Sequence, residues 1–299
     1  MRVPAESVKF PTAMTNTLFE DVTDTASWVA AYRARESARA DALFHDPFAG
    51  RLTDERGRRI ADEIVGAKNF AWMMAVRTCV LDELIVSAVG AGVDTVLNLG
   101  AGMDTRPYRL PLPAALRWIE VDHERVLERK EARLNGEAPV CSLRRVRMDL
   151  AQVPERRRLF AELDESASRT LVVAEGVIGY LTNEDVGALA RDLASCAHFT
   201  QWIVDYSSPI LRKAMRRRRK VRKQFQAAPL LFDPPDWEGF FREHDWTIRT
   251  MHFLGEEGER RGRPMPLPWW MHLLTRLAPG QRAQARRMLG FAVLNHGET

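Results

Sequence analysis

The rhythm of the chain changes at Asp94, and that change limits the fold more than any other feature. Short apolar runs, Thr95–Leu99, Trp118–Val121, Val146–Met148, Leu171–Ala174 and Ile203–Val204, alternate with helical stretches such as Glu124–Leu134 and Asn183–Ala194. Runs that are apolar throughout are strands covered on both faces. Strands that alternate with helices form a parallel sheet wound on both sides. Two later runs, Trp246–Leu254 and Met288–Leu294, bring the count to seven. The first follows a helix over Pro235–His244, and the second is reached through a Pro-rich insert, residues 255–287. Ahead of the sheet, residues 1–24 read as a loose arm. Asp24 can cap a helix reaching about Arg39, Asp46-Pro47 breaks the chain, and Asn69–Val89 forms a second helical zone that stops at Gly90-Ala91-Gly92. The expected architecture is one α/β domain over residues 1–299. It has an N-terminal helical cap (1–90), a doubly wound, mostly parallel, ligand-binding core (93–207), and a substrate-side region of helices, late insert and last two strands (208–299).

Composition excludes several classes. With 45% hydrophobic and 28% charged residues, the chain has enough apolar material for a globular core. Cys79, Cys141 and Cys196 are far apart, which indicates neither a disulfide framework nor a thiolate metal site. Asp21 and Asp24 interrupt the first thirty residues, and no apolar run approaches the ~18 residues of a membrane span, so a cytoplasmic protein without a membrane partner is expected. Nine basic residues and no acidic one lie between Arg212 and Lys223; without them the formal charge of +4 becomes −5. The basicity is one patch, which disfavours a protein that wraps nucleic acid over its whole surface.

The first strand leads into Gly100-Ala101-Gly102, at the sheet end where open parallel sheets bind ligands. Thr105 stands where the dinucleotide fingerprint has its third glycine, which argues against a pyrophosphate cofactor and a dehydrogenase. Asp122, followed by His123, ends the second strand twenty residues after Gly102, where an acid can accept from both ribose hydroxyls. Asp149, followed by Leu150, ends the third, and Glu175 the fourth. Each acid alone can be a helix cap. Three in register beside a glycine turn suit a ligand with a ribose, an amino-bearing base and a positive centre, and repel a polyphosphate. S-adenosylmethionine has these parts. Arg77 stands in an apolar helical stripe with Phe70, Met74, Leu81 and Leu84; its partner is a ligand carboxylate, a protein acid, or water at the rim.

The chain resembles the leucine carboxyl methyltransferase family, in its bacterial branch of small-molecule, polyketide-type enzymes, from about Thr25 to the end. The likeness is carried by Thr25-Ala-Ser-Trp-Val-Ala-Ala-Tyr-Arg33-Ala-Arg35-Glu-Ser, Asp41-Ala-Leu-Phe-His-Asp46-Pro47-Phe-Ala, Leu97-Asn-Leu-Gly-Ala-Gly-Met-Asp-Thr-Arg106 and Glu175-Gly-Val-Ile-Gly-Tyr180-Leu. The resemblance implies a class I methyltransferase sheet of seven strands. It places the cofactor carboxylate near Arg77 and a basic residue of the arm, Arg33 or Arg35, the ribose on Asp122, the base near Asp149 and Leu150, and the amino-acid end near Glu175. Asp104 and Arg106 shape the turn or contact ligand. The insert and the basic segment do not match a receptor for a protein C-terminus, so the expected acceptor is a small metabolite.

On the acceptor side, Tyr180 follows the fourth strand, and Asp205 and Tyr206 end the fifth. Asp205 is the candidate base, and Tyr180 and Tyr206 are candidate orienting groups; a helix cap and core aromatics are the plain alternatives. A carboxylate acceptor needs no base, a phenol needs a proton acceptor, and a carbon acceptor needs an enolate. O-methylation in secondary metabolism is the expected reaction. Metal-assisted C-methylation of an α-keto acid is one alternative, and a non-catalytic module for RNA or an acidic protein another. His244, His252, His272 and His296 come late in the chain without metal-binding spacing. If the last two strands form a hairpin, His244 and His296 fall at the end away from the cofactor, so no metal is expected. Trp269-Trp270 in the insert can close over an apolar acceptor or pack the cap. The basic run is a solvated face or a dock for an acidic carrier protein, and nucleic acid is not expected.

Overall fold

A computed structural model describes residues 22–64, 66–217, 229–266 and 279–296. Four helices form the cap: α1 (Val22–Ser37), α2 (Ala49–Leu52), α3 (Glu55–Glu63) and α4 (Ala67–Gly90). α1 begins at Val22 with Asp24 in its first turn, and the Asp24 carboxylate pairs with Arg56 of α3 at 2.8 Å. Trp28 and Tyr32 of α1 pack with Ile60 of α3 and Met74 of α4. The cap therefore has its own apolar centre, resting on the helix that also covers the sheet.

The core runs β1 (Thr95–Leu99), α5 (Arg106–Arg109), β2 (Arg117–Asp122), α6 (Glu124–Arg133), β3 (Ser142–Arg147), α7 (Val153–Ser166), β4 (Thr170–Ala174), α8 (Asn183–Ala194) and β5 (Phe199–Ser207). It continues with α9 (Pro209–Arg217), α10 (Trp237–Arg242), β6 (Trp246–Phe253), α11 (Leu254–Arg260), α12 (Pro279–Arg286) and β7 (Leu289–His296). The seven strands lie in the order β3-β2-β1-β4-β5-β7-β6; β7 is antiparallel to both neighbours, and the pairs among β1–β5 are parallel. β1 and β4 are buried at every position. Along them the side chains divide by parity. Leu97, Leu99, Val172 and Ala174 face α7 and α8, whereas Val96, Leu171 and Val173 face α4. This is the doubly wound arrangement expected from the apolar runs.

Two elements differ from the expectation. The third strand starts at Ser142 rather than Val146, because β3 is an edge strand whose arginines are held across the pair: Arg145 meets Glu120 of β2 at 3.0 Å. The helix after the basic run is shorter, Trp237–Arg242, capped by Asp236 through the Gly239 amide at 3.0 Å. The central part of the insert, with Trp269, Trp270 and His272, lies outside the described residues, as do residues 218–228 of the basic segment. No helix among the described residues is long and apolar enough to cross a membrane.

Candidate active site

The glycine turn leaves β1 at Gly100, with φ +64°, and passes Gly102, with φ +46°. A Cβ on Gly100 would stand 2.4 Å from Val177 Cγ2, so the turn packs directly against the exit of β4. The amides of Gly100 and Ala101 both donate to Val121 O, at 2.8 and 3.2 Å, which ties the turn to β2. Asp122 is anchored by the Gly102 amide on Oδ2 at 2.6 Å and the His123 amide on Oδ1 at 2.7 Å. Burial pushes its carboxyl above the usual range, against those two amides. Each carboxylate oxygen retains a lone pair for a further donor. The His123 side chain is exposed.

Asp149 is exposed, and its Oδ1 accepts from the Ala151 amide at 2.9 Å. Leu150 packs partly on the core, and its carbonyl accepts from Arg156 at 2.6 Å. These two contacts set the backbone beyond β3, on the same side of the sheet as Asp122.

The floor of the site is a connected set of charges. Arg77 of α4 lies 2.8 Å from Glu175 Oε1 through Nε and 3.2 Å from Asp205 Oδ1 through Nη2. Its Nε is buried, and the 2.8 Å contact is not aligned as a hydrogen bond. Asp205 Oδ2 accepts from the Gly176 amide. Glu175 Oε2 is 2.9 Å from Arg106, which also binds Asp104 at 2.9 Å and Asp82 of α4 at 2.7 Å. Asp82 takes two hydrogen bonds from Arg109, at 2.6 and 2.8 Å. Arg109 lies 3.8 Å from Asp46, which Arg33 of α1 binds at 2.9 Å. Arg33 also donates to Met103 O in the glycine turn. Four arginines and five carboxylates therefore form one path from cap to β5, with one negative charge in formal excess.

The path separates the two arm candidates. Arg33 reaches the turn, whereas Arg35 points outward and pairs with Asp62 at 3.0 Å. Of the acceptor-side residues, Tyr180 and Asp205 gather beside Arg77: Arg77 and Asp205 both act on the Tyr180 phenol, whose pKa burial raises. Burial also raises that of Asp205, with Arg77 opposing and Glu175 reinforcing. Tyr206 is not part of this group. One step along β5 its ring turns to the other face and packs edge-on against Trp237, with centroids 5.2 Å apart, and Phe253, 5.8 Å apart. Arg212, the first residue of the basic run, is buried against Asp233 at 2.5 Å, while Lys213 and Arg217 are exposed. β6 and β7 pair antiparallel, joined not by a tight turn but through residues 254–288, and Trp246 pairs with His296 at the end of the sheet away from the glycine turn. No three His, Cys, Asp or Glu among the described residues gather where a metal ion could be held.

Residue-by-residue reading missed Asp82, Arg109 and the role of Asp46. A carboxylate in the buried stretch of α4, one helical turn from the buried Thr78 and Ile85, is the signal that was there to find: an acid on a buried face needs a partner.

The sheet order, the glycine turn and the anchored carboxylate at the end of β2 define the class I methyltransferase fold. A solved structure of a DUF574 family protein from Streptomyces avermitilis shares it, with a TM-score of 0.56 over 92% of this chain and 99% of that one at 13% identity. The family model of leucine carboxyl methyltransferase matches residues 26–194. A Mycobacteroides abscessus protein assigned to the S-adenosyl-L-methionine-dependent methyltransferases is 31% identical over 275 residues, covering 81% of this chain and 88% of that protein. A Mycobacterium ulcerans protein of the same assignment is 36% identical over 293 residues, covering 84% and 91%. The chain belongs to the leucine carboxyl methyltransferase family, and with it to the S-adenosylmethionine-dependent methyltransferases.

Proposed function

We propose that the chain methylates an oxygen of a small-molecule acceptor in secondary metabolism. The observation that supports this site assignment most directly is the charge path. Its formal excess of one carboxylate complements S-adenosylmethionine, which carries an ammonium, a sulfonium and a carboxylate and so one net positive charge. The buried Arg77 Nε, without an aligned acceptor, fits the cofactor carboxylate, and Glu175 fits the ammonium. Asp122 fits the ribose hydroxyls, the Gly100-Ala101-Gly102 backbone admits the ligand closely, and Asp149 and Leu150 border the base. Arg33 acts from the cap by holding Met103.

Bound S-adenosylmethionine supplies a methyl group already activated on a sulfonium. The protein then aligns the acceptor and keeps water out, and positioning of this kind contributes roughly 7–11 kcal/mol toward the barrier. Tyr180 and Asp205 are the groups placed to meet an acceptor oxygen beside the cofactor's amino-acid end. Tyr180 orients it as a donor, since burial keeps its phenol protonated. Asp205 takes a proton when the acceptor is a hydroxyl, its raised pKa suiting it to that role. A carboxylate acceptor requires neither step. Tyr206 would shape the aromatic wall behind them.

Calorimetry with S-adenosylhomocysteine tests the cofactor assignment. Asp122→Ala removes charge-assisted hydrogen bonds to the ribose; the loss of even one, worth about 1.5–3 kcal/mol, should lower affinity by at least roughly tenfold. Binding equal to the parent's would sink the assignment. Labelled methyl donor offered with pools of small acids and phenols then reports the acceptor.

A further inference from the structure

Arg106 lies below the site and is 3% exposed, so it is too enclosed to meet an acceptor. Its guanidinium joins three carboxylates from three elements: Asp82 of α4, Asp104 of the turn and Glu175 at the exit of β4. Asn98 of β1 donates at 2.9 Å to the same Asp104 Oδ2 that the guanidinium binds, and Asp104 Oδ1 accepts from the Arg106 amide at 2.8 Å. The guanidinium is therefore held in one orientation, with a single N–H presented to Glu175 Oε2. Glu175 Oε1 is left on the Arg77 side.

We infer that Arg106 is a positioning residue for cofactor binding: by engaging Glu175 Oε2 it holds that carboxylate ionised, with Oε1 turned to the Arg77 side, where the cofactor ammonium is to be met. The inference rests on the reading that Glu175 meets the cofactor's amino-acid end. The groups facing Glu175 are the cations Arg77 and Arg106 and the acids Asp104 and Asp205, with Tyr180 beside Arg77. Burial favours the neutral acid. The two arginines, Arg106 ahead of Arg77, outweigh it and hold the carboxyl below its usual range. Without Arg106, Glu175 would keep one cation against two neighbouring acids, and its proton affinity would rise. Cofactor affinity would then weaken as pH falls, because a neutral Glu175 no longer balances the ammonium.

The test is S-adenosylhomocysteine calorimetry at pH 6 and pH 8 on the full chain. The parent should bind with little change between the two. Arg106→Gln should bind about tenfold more weakly than the parent at pH 6 and about threefold more weakly at pH 8, since each pKa unit is a tenfold change in protonation. Arg106→Lys, which keeps the charge, should recover most of the loss and flatten the profile. In a Glu175→Gln background, Arg106→Gln should cause no further loss. A purely structural Arg106 would instead weaken binding equally at both pH values and add to Glu175→Gln, and that result overturns the inference, as does an Arg106→Gln protein that binds like the parent. If Arg106→Gln does not fold, Arg106→Lys carries the same cycle: an about threefold loss that vanishes in Glu175→Gln supports the inference, and one that persists overturns it. A parent that fails to bind S-adenosylhomocysteine removes the cofactor reading itself, and is distinguishable because it needs no variant.

Discussion

Six carboxyls in and beside this site are shifted, in two opposite directions. Asp46 and Asp104 are buried and Glu175 is partly so, yet neighbouring cations hold each below its ordinary range: Arg33 and Arg109 for Asp46, Arg106 and Lys130 for Asp104, Arg106 and Arg77 for Glu175. Glu120, Asp122 and Asp205 go the other way, because burial outweighs their partners. A depressed carboxyl stabilises the fold above its unfolded value, near 4, and that contribution disappears as pH falls through the folded value. A raised carboxyl binds its proton more tightly when folded, so it favours the fold increasingly as pH drops toward 4. Asp46→Asn strands the buried charge of Arg33, whose paired carboxylate it removes, and should cost about 3–5 kcal/mol at pH 7, a difference that shrinks below pH 4. Against Asp122→Asn the parent should instead gain stability between pH 7 and pH 4. Urea midpoints across pH measure both, and parallel curves would contradict the assignment of sign. At this scale the sequence exposed the end-of-strand acids, since position after an apolar run is a local signal. It did not expose the pairing of Asp82 with Arg109, because the partners are 27 residues apart and meet only when α4 packs beside the turn.

Elements were legible in proportion to their burial. β1 and α8 fall where the apolar run and the helical stretch place them, Thr95–Leu99 and Asn183–Ala194. α8 is further marked by a capping box, Thr182 with Asp185. β3 was blurred because an edge strand needs only half its residues apolar, and here arginines fill the rest, paired to β2 and to Glu131 of α6. Gly100, in the turn between β1 and α5, can be set against Gly136, which lies between α6 and β3. Gly136 has φ +85° with open space around it, whereas Gly100 has φ +64° and Val177 against it. Alanine at either site pays the left-handed backbone penalty of about 1–2 kcal/mol. Only Gly100→Ala must also push Val177 and the β4 exit away. Gly136→Ala should therefore lose that stability and bind S-adenosylhomocysteine as the parent does, while Gly100→Ala should lose more stability and at least about tenfold in affinity. Equal binding by the two variants would mean that the turn and the β4 exit do not need this close fit.

For the molecule as a whole, the charge path joins the cap to the glycine turn and the strand ends, and on the proposed assignment it makes the cap part of the cofactor site. Arg33 and Asp46 come from residues preceding the sheet, Arg77 and Asp82 from the helix that covers it, Glu175 and Asp205 from two neighbouring strand ends. Supplying a positive ligand to a set with one excess carboxylate should tighten every member, because each arginine is shared between acids. Ligand that binds only the folded state stabilises it by about 2.7 kcal/mol at a hundred times its dissociation constant. The melting temperature should rise by about 5 °C under that loading, on the scale of roughly 2 °C per kcal/mol for a chain of this size. The distribution of that gain is the sharper measurement. If the path transmits, S-adenosylmethionine, with its net positive charge, should slow amide hydrogen exchange in α1 and at residues 46–52, as well as in the glycine turn and at the β4 exit. The basic segment beyond Arg217 should be unaffected by the small ligand. Protection confined to residues 100–122 would show instead that the cap folds independently of the cofactor, and that the arginines between them serve stability alone.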